Sequence, residues 1–217
     1  RKGHESTAGR SATPQTVVTP AGAAVHVDTF GPADAPPIVA IHGWGMDSTA
    51  WRYLRGKLGD RYRILAPDLP GLGKSKGPSD GVYTLERFAD VLAATLQLTG
   101  GRPAVVMGHS IGGMTIQTYA RRFPETMGSQ VAGVVLMNTT YTNPIRTSVA
   151  SWLLRALRWP LIEPMCRLQI WLNPLVWAQA WLSYLNGSSH LVMRLTGFGS
   201  AVTREQLDHV ARLHTQN

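Results

Sequence analysis

Ser110 stands in Gly108-His-Ser-Ile-Gly112, a G-x-S-x-G pentapeptide, directly after the apolar run Pro103-Ala-Val-Val-Met107. A serine between a buried strand and a helix, at the tip of a sharp turn, forms a nucleophile elbow. The chemistry is acyl transfer. The hydroxyl attacks an ester or amide carbonyl, and the resulting oxyanion needs fixed N–H donors in a dry site. Gly108 and Gly112 are expected to remove the Cβ atoms that would collide around a strained serine. The following helix, read from Gly113 to about Phe123, turns its N-terminal amides and positive dipole end toward Ser110. The backbone N–H of Ile111 is one expected oxyanion donor. His109 adjoins the nucleophile in sequence but should project away from it and buttress the elbow.

The elements needed to hold such a site can be read on either side. Two alternating runs, Gln15–Thr19 and Ala24–Thr29, suggest a β-hairpin. Pro37–Ile41 and Tyr62–Pro67 read as strands, with a helix around Thr49–Leu58 between them. Leu85–Leu98 carries an apolar stripe at helical spacing, and Val131–Met137 reads as another buried strand. Apolar strands alternating with helices predict an α/β class: a mostly parallel sheet covered by helices on both faces.

From about Thr139 the texture changes. Residues 151–199 hold five of the seven Trp and no strand–helix alternation, and Pro160, Pro164 and Pro174 divide them into short helices. Leu168–Leu185 is long enough to test as a membrane span, but Pro174 interrupts it. Gln169/Asn173 and Gln179/Ser183 fall at helical spacing, so two short amphipathic helices fit better. A packed helical lid is the leading reading, with a lid that also touches membrane or lipid as the second. Thr203-Arg-Glu-Gln206 is a capping box, with Val202 and Leu207 placed as a hydrophobic staple, opening a helix to about His214. The expected organisation is a polar tail over 1–14, a core over 15–140 and a helical Trp-rich cap over 141–217.

Composition narrows the function classes. The chain has 217 residues and a formal charge of +8, and 17 of its 21 basic residues are Arg. They are spread without a block, and no helix-turn-helix, zinc or RNA-binding signature accompanies them, so nucleic acid is not an expected partner. The lone Cys166 excludes an internal disulfide and reads as buried filler. The start at Arg1-Lys-Gly, without Met or a secretory signal, points to a removed leader or anchor, or to a start chosen for expression. The compartment stays open between cytoplasmic and membrane-associated. No phosphate loop, dinucleotide turn or metal-ligand cluster is found, so no cofactor and no metal are expected.

Taken together, the elbow, His42-Gly43-Trp44-Gly45 and Asp68-Leu-Pro-Gly-Leu-Gly-Lys-Ser75 make the chain resemble the α/β-hydrolase fold family, in its esterase/lipase-like branch. The resemblance is specific over residues 24–140 and only positional in the Trp-rich segment, where that family inserts its cap. It implies that the backbone N–H of Trp44 is the second oxyanion donor. It also implies structural roles for His42, beside Gly43, and for Asp68, which would tie the Gly71 and Gly73 turns together.

A serine nucleophile needs a base, and the base an orienting carboxylate. In the resembled family these follow two further strands, which are not visible after Met137. His190, His209 and His214 lie in or beside cap helices, Asp208 and Glu205 fall on the exposed part of a capped helix, and Asn138 cannot act as an acid. The expectation is therefore an N-terminal part of a longer hydrolase, with the last strands, the acid and the base in a missing C-terminal segment. The leading function is cleavage of an ester or thioester with an apolar, lipid-like acyl group through a Ser110 acyl-enzyme. A catalytically silent subunit binding a lipid or partner protein, and an acyltransferase, are the alternatives.

Overall fold

In β3 (Pro37–Ile41), Val39 and Ile41 pack into one apolar cluster while Ile38 and Ala40 pack into another. The same division separates Leu65 from Ile64 and Ala66 in β4 (Arg63–Pro67), and Val106 from Val105 and Met107 in β5 (Ala104–His109). Successive strand side chains point to opposite faces, so wholly apolar strands need cover on both. The computed structural model describes residues 12–143, 146 and 151–216, which form two compact units divided between Tyr141 and Thr142.

In the first unit, β1 (Thr13–Val18), β2 (Ala24–Phe30) and β6 (Val131–Met137) complete a six-stranded sheet in the order β1-β2-β4-β3-β5-β6. Strands β4, β3, β5 and β6 are parallel, while β1 and β2 join antiparallel. One face is covered by α2 (Leu85–Gln97) and α3 (Ile111–Arg122), through Phe88, Leu92 and Ile116. The other is covered by a 3₁₀ turn, Ser48–Trp51, and α1 (Arg52–Leu58), through Trp51, Leu54 and Leu58. The stripe in α2 buries Phe88, Val91, Leu92 and Thr95, and the Thr84 hydroxyl caps the helix by accepting from Arg87 N at 3.3 Å. Each large side chain removed from water here stabilises the unit by about 1.5–3 kcal/mol.

Three readings of this unit are corrected. The first strand begins at Thr13, inside the expected tail, whose residues 1–11 lie outside those described. The helix after the elbow begins at Ile111, because Ser110 is its cap residue. Strand β6 is buried only at Val131: Val134, Val135 and Leu136 are 38–46% exposed, because β6 forms the edge of the sheet among the described residues.

The second unit is helical. It comprises α4 (Ser151–Leu157), a π-helical turn at Arg158–Ile162, α5 (Glu163–Trp171), α6 (Asn173–Leu185), α7 (Ser188–Thr196) and α8 (Arg204–Gln216). Pro164 and Pro174 sit in first turns, where the missing N–H costs nothing. The break at Leu172 places Gln169 and Asn173 on different helices, so they do not share a stripe as expected. The capping box forms: Gln206 N donates to Thr203 Oγ1 at 3.2 Å, and Thr203 N donates to Gln206 Oε1 at 2.9 Å. Cys166 is exposed on α5, not buried, because that helix turns its flanking Met165 and Leu168 to solvent as well. Among the described residues no helix is long and apolar enough to cross a membrane.

Candidate active site

Pairing of Ile41 with Gly108 brings the carboxyl ends of β3 and β5 side by side. Two segments therefore leave the sheet together: His42-Gly43-Trp44 from β3, and Ser110-Ile111-Gly112 after β5. Ser110 has φ 54° and ψ −118°, a positive-φ conformation that costs a side-chain-bearing residue about 1–3 kcal/mol and persists only where neighbours enforce it. They do so here. Ser110 N donates to Met137 O at 3.0 Å, and Ser110 O accepts from Gly113 N at 3.0 Å, Met114 N at 3.2 Å and Thr139 Oγ1 at 2.7 Å.

The glycines fit this turn by close approach. A Cβ on Gly108 would lie 2.5 Å from the Gly112 carbonyl, and one on Gly112 would press on Ile41 O and stand 2.8 Å from His42 O. Ile111 opens α3, so its N–H belongs to the first turn, where amides have no intrahelical partner. Trp44 lies in a loop turned by Gly45 at φ 68° and closed by Met46 N donating to Gly43 O at 3.3 Å. Its ring is 58% exposed and meets Tyr83 edge-on, with centroids 6.3 Å apart.

His42 is fully buried, and its two nitrogens are both used. Nε2 accepts from Leu69 N at 2.9 Å, so Nδ1 carries the proton and donates to Gly43 O at 2.8 Å. Burial lowers its pKa, so the ring stays neutral and links the two loops. His109 lies over Gly43, where a Cβ would come 2.7 Å from its Nδ1, and desolvation lowers its pKa too. Asp68 ties more than the glycine turns. Its Oδ1 accepts from Ser48 N at 2.6 Å and its Oδ2 from Lys74 N at 2.9 Å, with Gly73 packed on the carboxylate.

Two contributors lie outside every motif read from the sequence. Asp28 accepts from Ser48 Oγ at 2.8 Å and pairs with His26 at 2.8 Å. Burial pushes the Asp28 carboxyl up, but hydrogen bonds from Ser48 and His26 outweigh it and leave the pKa lowered. Thr139, beyond β6, holds Ser110 O and packs on Gly113. In the sequence Asp28 is one of several polar residues in the alternating run Ala24–Thr29. Thr139 had no advance signal.

The described histidines of the first unit are engaged away from the Ser110 hydroxyl: His26 with Asp28, His42 with Gly43 and Leu69, and His109 against Gly43. Within the second unit, Asp208 is not merely exposed. It accepts from Tyr184 Oη at 2.8 Å, pairs with His190 at 3.3 Å and Arg212 at 3.4 Å, and has a lowered pKa led by the Tyr184 hydrogen bond. This cluster ties α6, α7 and α8 together. Among the described residues no group of three or more His, Cys, Asp or Glu is placed to hold a metal ion.

A strand–elbow–helix on a mostly parallel sheet defines the class, and comparison with known proteins agrees. The family model described as the alpha/beta hydrolase fold matches residues 36–180, and the chain belongs to that family. It is 33% identical over 132 residues to a bifunctional esterase/perhydrolase of Acinetobacter calcoaceticus, covering 60% of this chain and 46% of that protein. It is 37% identical over 98 residues to a pimeloyl-acyl-carrier-protein methyl ester esterase of Sodalis glossinidius, covering 45% of this chain and 34% of that protein. Among solved structures, the esterase RhEst1 from Rhodococcus sp. superposes with a TM-score of 0.52 at 30% identity, covering 58% of this chain and 46% of that one. The matches thus span less than half the length of these relatives.

Proposed function

We propose that the protein is a serine hydrolase of carboxylic esters or thioesters. The observation that carries this is Ser110 itself: a non-glycine residue at φ 54°, between a parallel strand and a helix N-terminus, its backbone held by four hydrogen bonds. Ser110 Oγ attacks the carbonyl carbon as its proton passes to a general base. The oxyanion takes hydrogen bonds from Ile111 N–H and Trp44 N–H, helped by the α3 dipole. Collapse expels the alcohol or thiol and leaves an acyl-enzyme, which water hydrolyses. His42, Gly43, Asp68, Gly108, His109 and Gly112 hold this geometry without touching the substrate.

The engagement of His26, His42 and His109 elsewhere supports a base, with its orienting carboxylate, contributed by polypeptide beyond the first unit. The esterase relatives favour hydrolysis over transfer to another acceptor. An apolar acyl group is favoured by the second unit, whose Trp171, Ile170, Leu175 and Trp177 offer exposed apolar surface. The same surface supports peripheral contact with lipid.

The test is a fluorophosphonate probe and a p-nitrophenyl ester series applied to the full-length protein. Expected are labelling at Ser110, loss of both labelling and turnover in Ser110→Ala, and faster turnover of longer acyl chains than of acetate. An unlabelled Ser110 favours the silent binding role, and a preference for acetate overturns the apolar acyl group.

A further inference from the structure

Asp28 lies on β2, outside the parallel part of the sheet, yet it reaches the loop that carries Trp44. Its side chain is 7% exposed, and its Oδ2 accepts from Ser48 Oγ at 2.8 Å. Asp68 Oδ1 accepts from Ser48 N at 2.6 Å, so two carboxylates grip one residue from two sides. They share Lys74 in the same way: its N donates to Asp68 Oδ2 at 2.9 Å, and its Nζ lies 3.5 Å from Asp28 Oδ2. Ser75 closes the arrangement, its Oγ donating to Asp68 O at 2.7 Å and accepting from His26 N at 2.9 Å.

Ser48 opens the 3₁₀ turn that ends the 42–47 loop. The opposite end is fixed by His42, through Gly43 O and Leu69 N. Trp44 lies between these two fixed points, in a stretch turned by Met46 N donating to Gly43 O and joined to the 3₁₀ turn by Ala50 N donating to Asp47 O at 3.1 Å and Thr49 N donating to Asp47 Oδ1 at 2.9 Å. Its backbone direction therefore depends on where Ser48 is held. A buried carboxylate is a weak source of stability, because desolvation offsets much of what its partners return. Several donors converging on one carboxylate do fix geometry.

We propose that Asp28 is a positioning residue for ester cleavage: it fixes Ser48 jointly with Asp68, and through Ser48 aims the Trp44 N–H at the oxyanion. This rests on the hydrolase reading above. Displacing one donor by a fraction of its hydrogen-bond length matters only when the oxyanion exists, so the effect belongs in kcat and not in KM.

The experiment compares Asp28→Asn, Ser48→Ala and the double variant in the full-length protein, with kcat expressed per Ser110 titrated by a fluorophosphonate. Each single variant is expected to lose about 10- to 100-fold in kcat at nearly unchanged KM. The double variant should lose no more than the worse single one, since both act through one contact. An alkyl boronic acid, whose tetrahedral adduct mimics the oxyanion, should weaken by the same factor, while the product carboxylic acid should not. Amide exchange should rise in residues 43–48 and stay unchanged in α2. Unchanged kcat per titrated site in an active enzyme overturns the proposal, as does additive loss or exchange that rises across the whole unit. A wild-type protein that neither labels nor turns over esters defeats the hydrolase reading instead, and this role with it.

Discussion

At Ser110 the backbone is strained, and Gly112 is where that strain is most exposed to substitution. In Gly112→Ala the new methyl meets Ile41 O and His42 O, two carbonyls that the β3–β5 pairing and the His42 loop hold in place. Backbone cannot give way as a flexible side chain can, so the variant should lose about 1–3 kcal/mol in urea unfolding, with ester turnover falling further than stability. His42 makes a prediction about pH. Its folded pKa lies below the ordinary histidine value because burial disfavours the imidazolium. The unfolded chain then takes up a proton that the folded chain refuses, so stability is full above about pH 6.5 and is lost as pH falls toward the folded value. His109, also desolvated, adds in the same direction. The urea midpoint should drop between about pH 7.5 and 5.5, and drop less in His42→Asn, each variant compared with its own value at the higher pH. A flat profile in the wild type would show that these rings are not held neutral.

Among the elements, α3, the strands and the cap of α8 were legible because their signals are local. A short continuous apolar run marks β3, a 3.6 period marks α2, and Thr203 with Gln206, three positions on, spells the cap. The Asp28–Ser48–Asp68 clamp was not legible, because β2 reaches it only by pairing with β4, with Val27 opposite Pro67. Nothing in the order of residues states that pairing. The misreading of β6 has a related cause: an apolar run reads the same in the middle of a sheet and at its edge. As an edge with Val134, Val135 and Leu136 exposed, β6 offers a flat apolar template for another strand. The 217-residue chain prepared by itself should therefore self-associate through β6. Val135→Lys should shift it toward monomer in sedimentation velocity without altering the far-ultraviolet circular dichroism, since a charge opposes strand addition at an edge. Association that is indifferent to Val135→Lys would point to the helical unit instead.

At the scale of the whole molecule, the formal charge of +8 divides equally between the two units, while exposed tryptophan gathers on the second. The second unit carries seven arginines against three carboxylates, and Trp152, Trp159, Trp171 and Trp177 on it are 59–79% exposed. Indole rings favour the boundary between water and lipid, and each arginine near an anionic leaflet adds about 1 kcal/mol of attraction. Side chains of this kind on short helices make contact along a membrane surface. Vesicles of phosphatidylcholine containing phosphatidylserine should therefore capture the full-length protein, and pure phosphatidylcholine should do so less well. Raising salt should weaken the electrostatic part and leave a residue of binding that Trp171→Ala reduces further. Tryptophan emission should shift to the blue on capture as the indoles leave water. The two dependences separate the two causes. Capture that ignores salt would assign the contact to apolar surface alone, and capture lost completely with salt would assign it to arginine. No capture at low salt would mean that these side chains are covered within the complete protein, and lipid contact through this unit would be excluded.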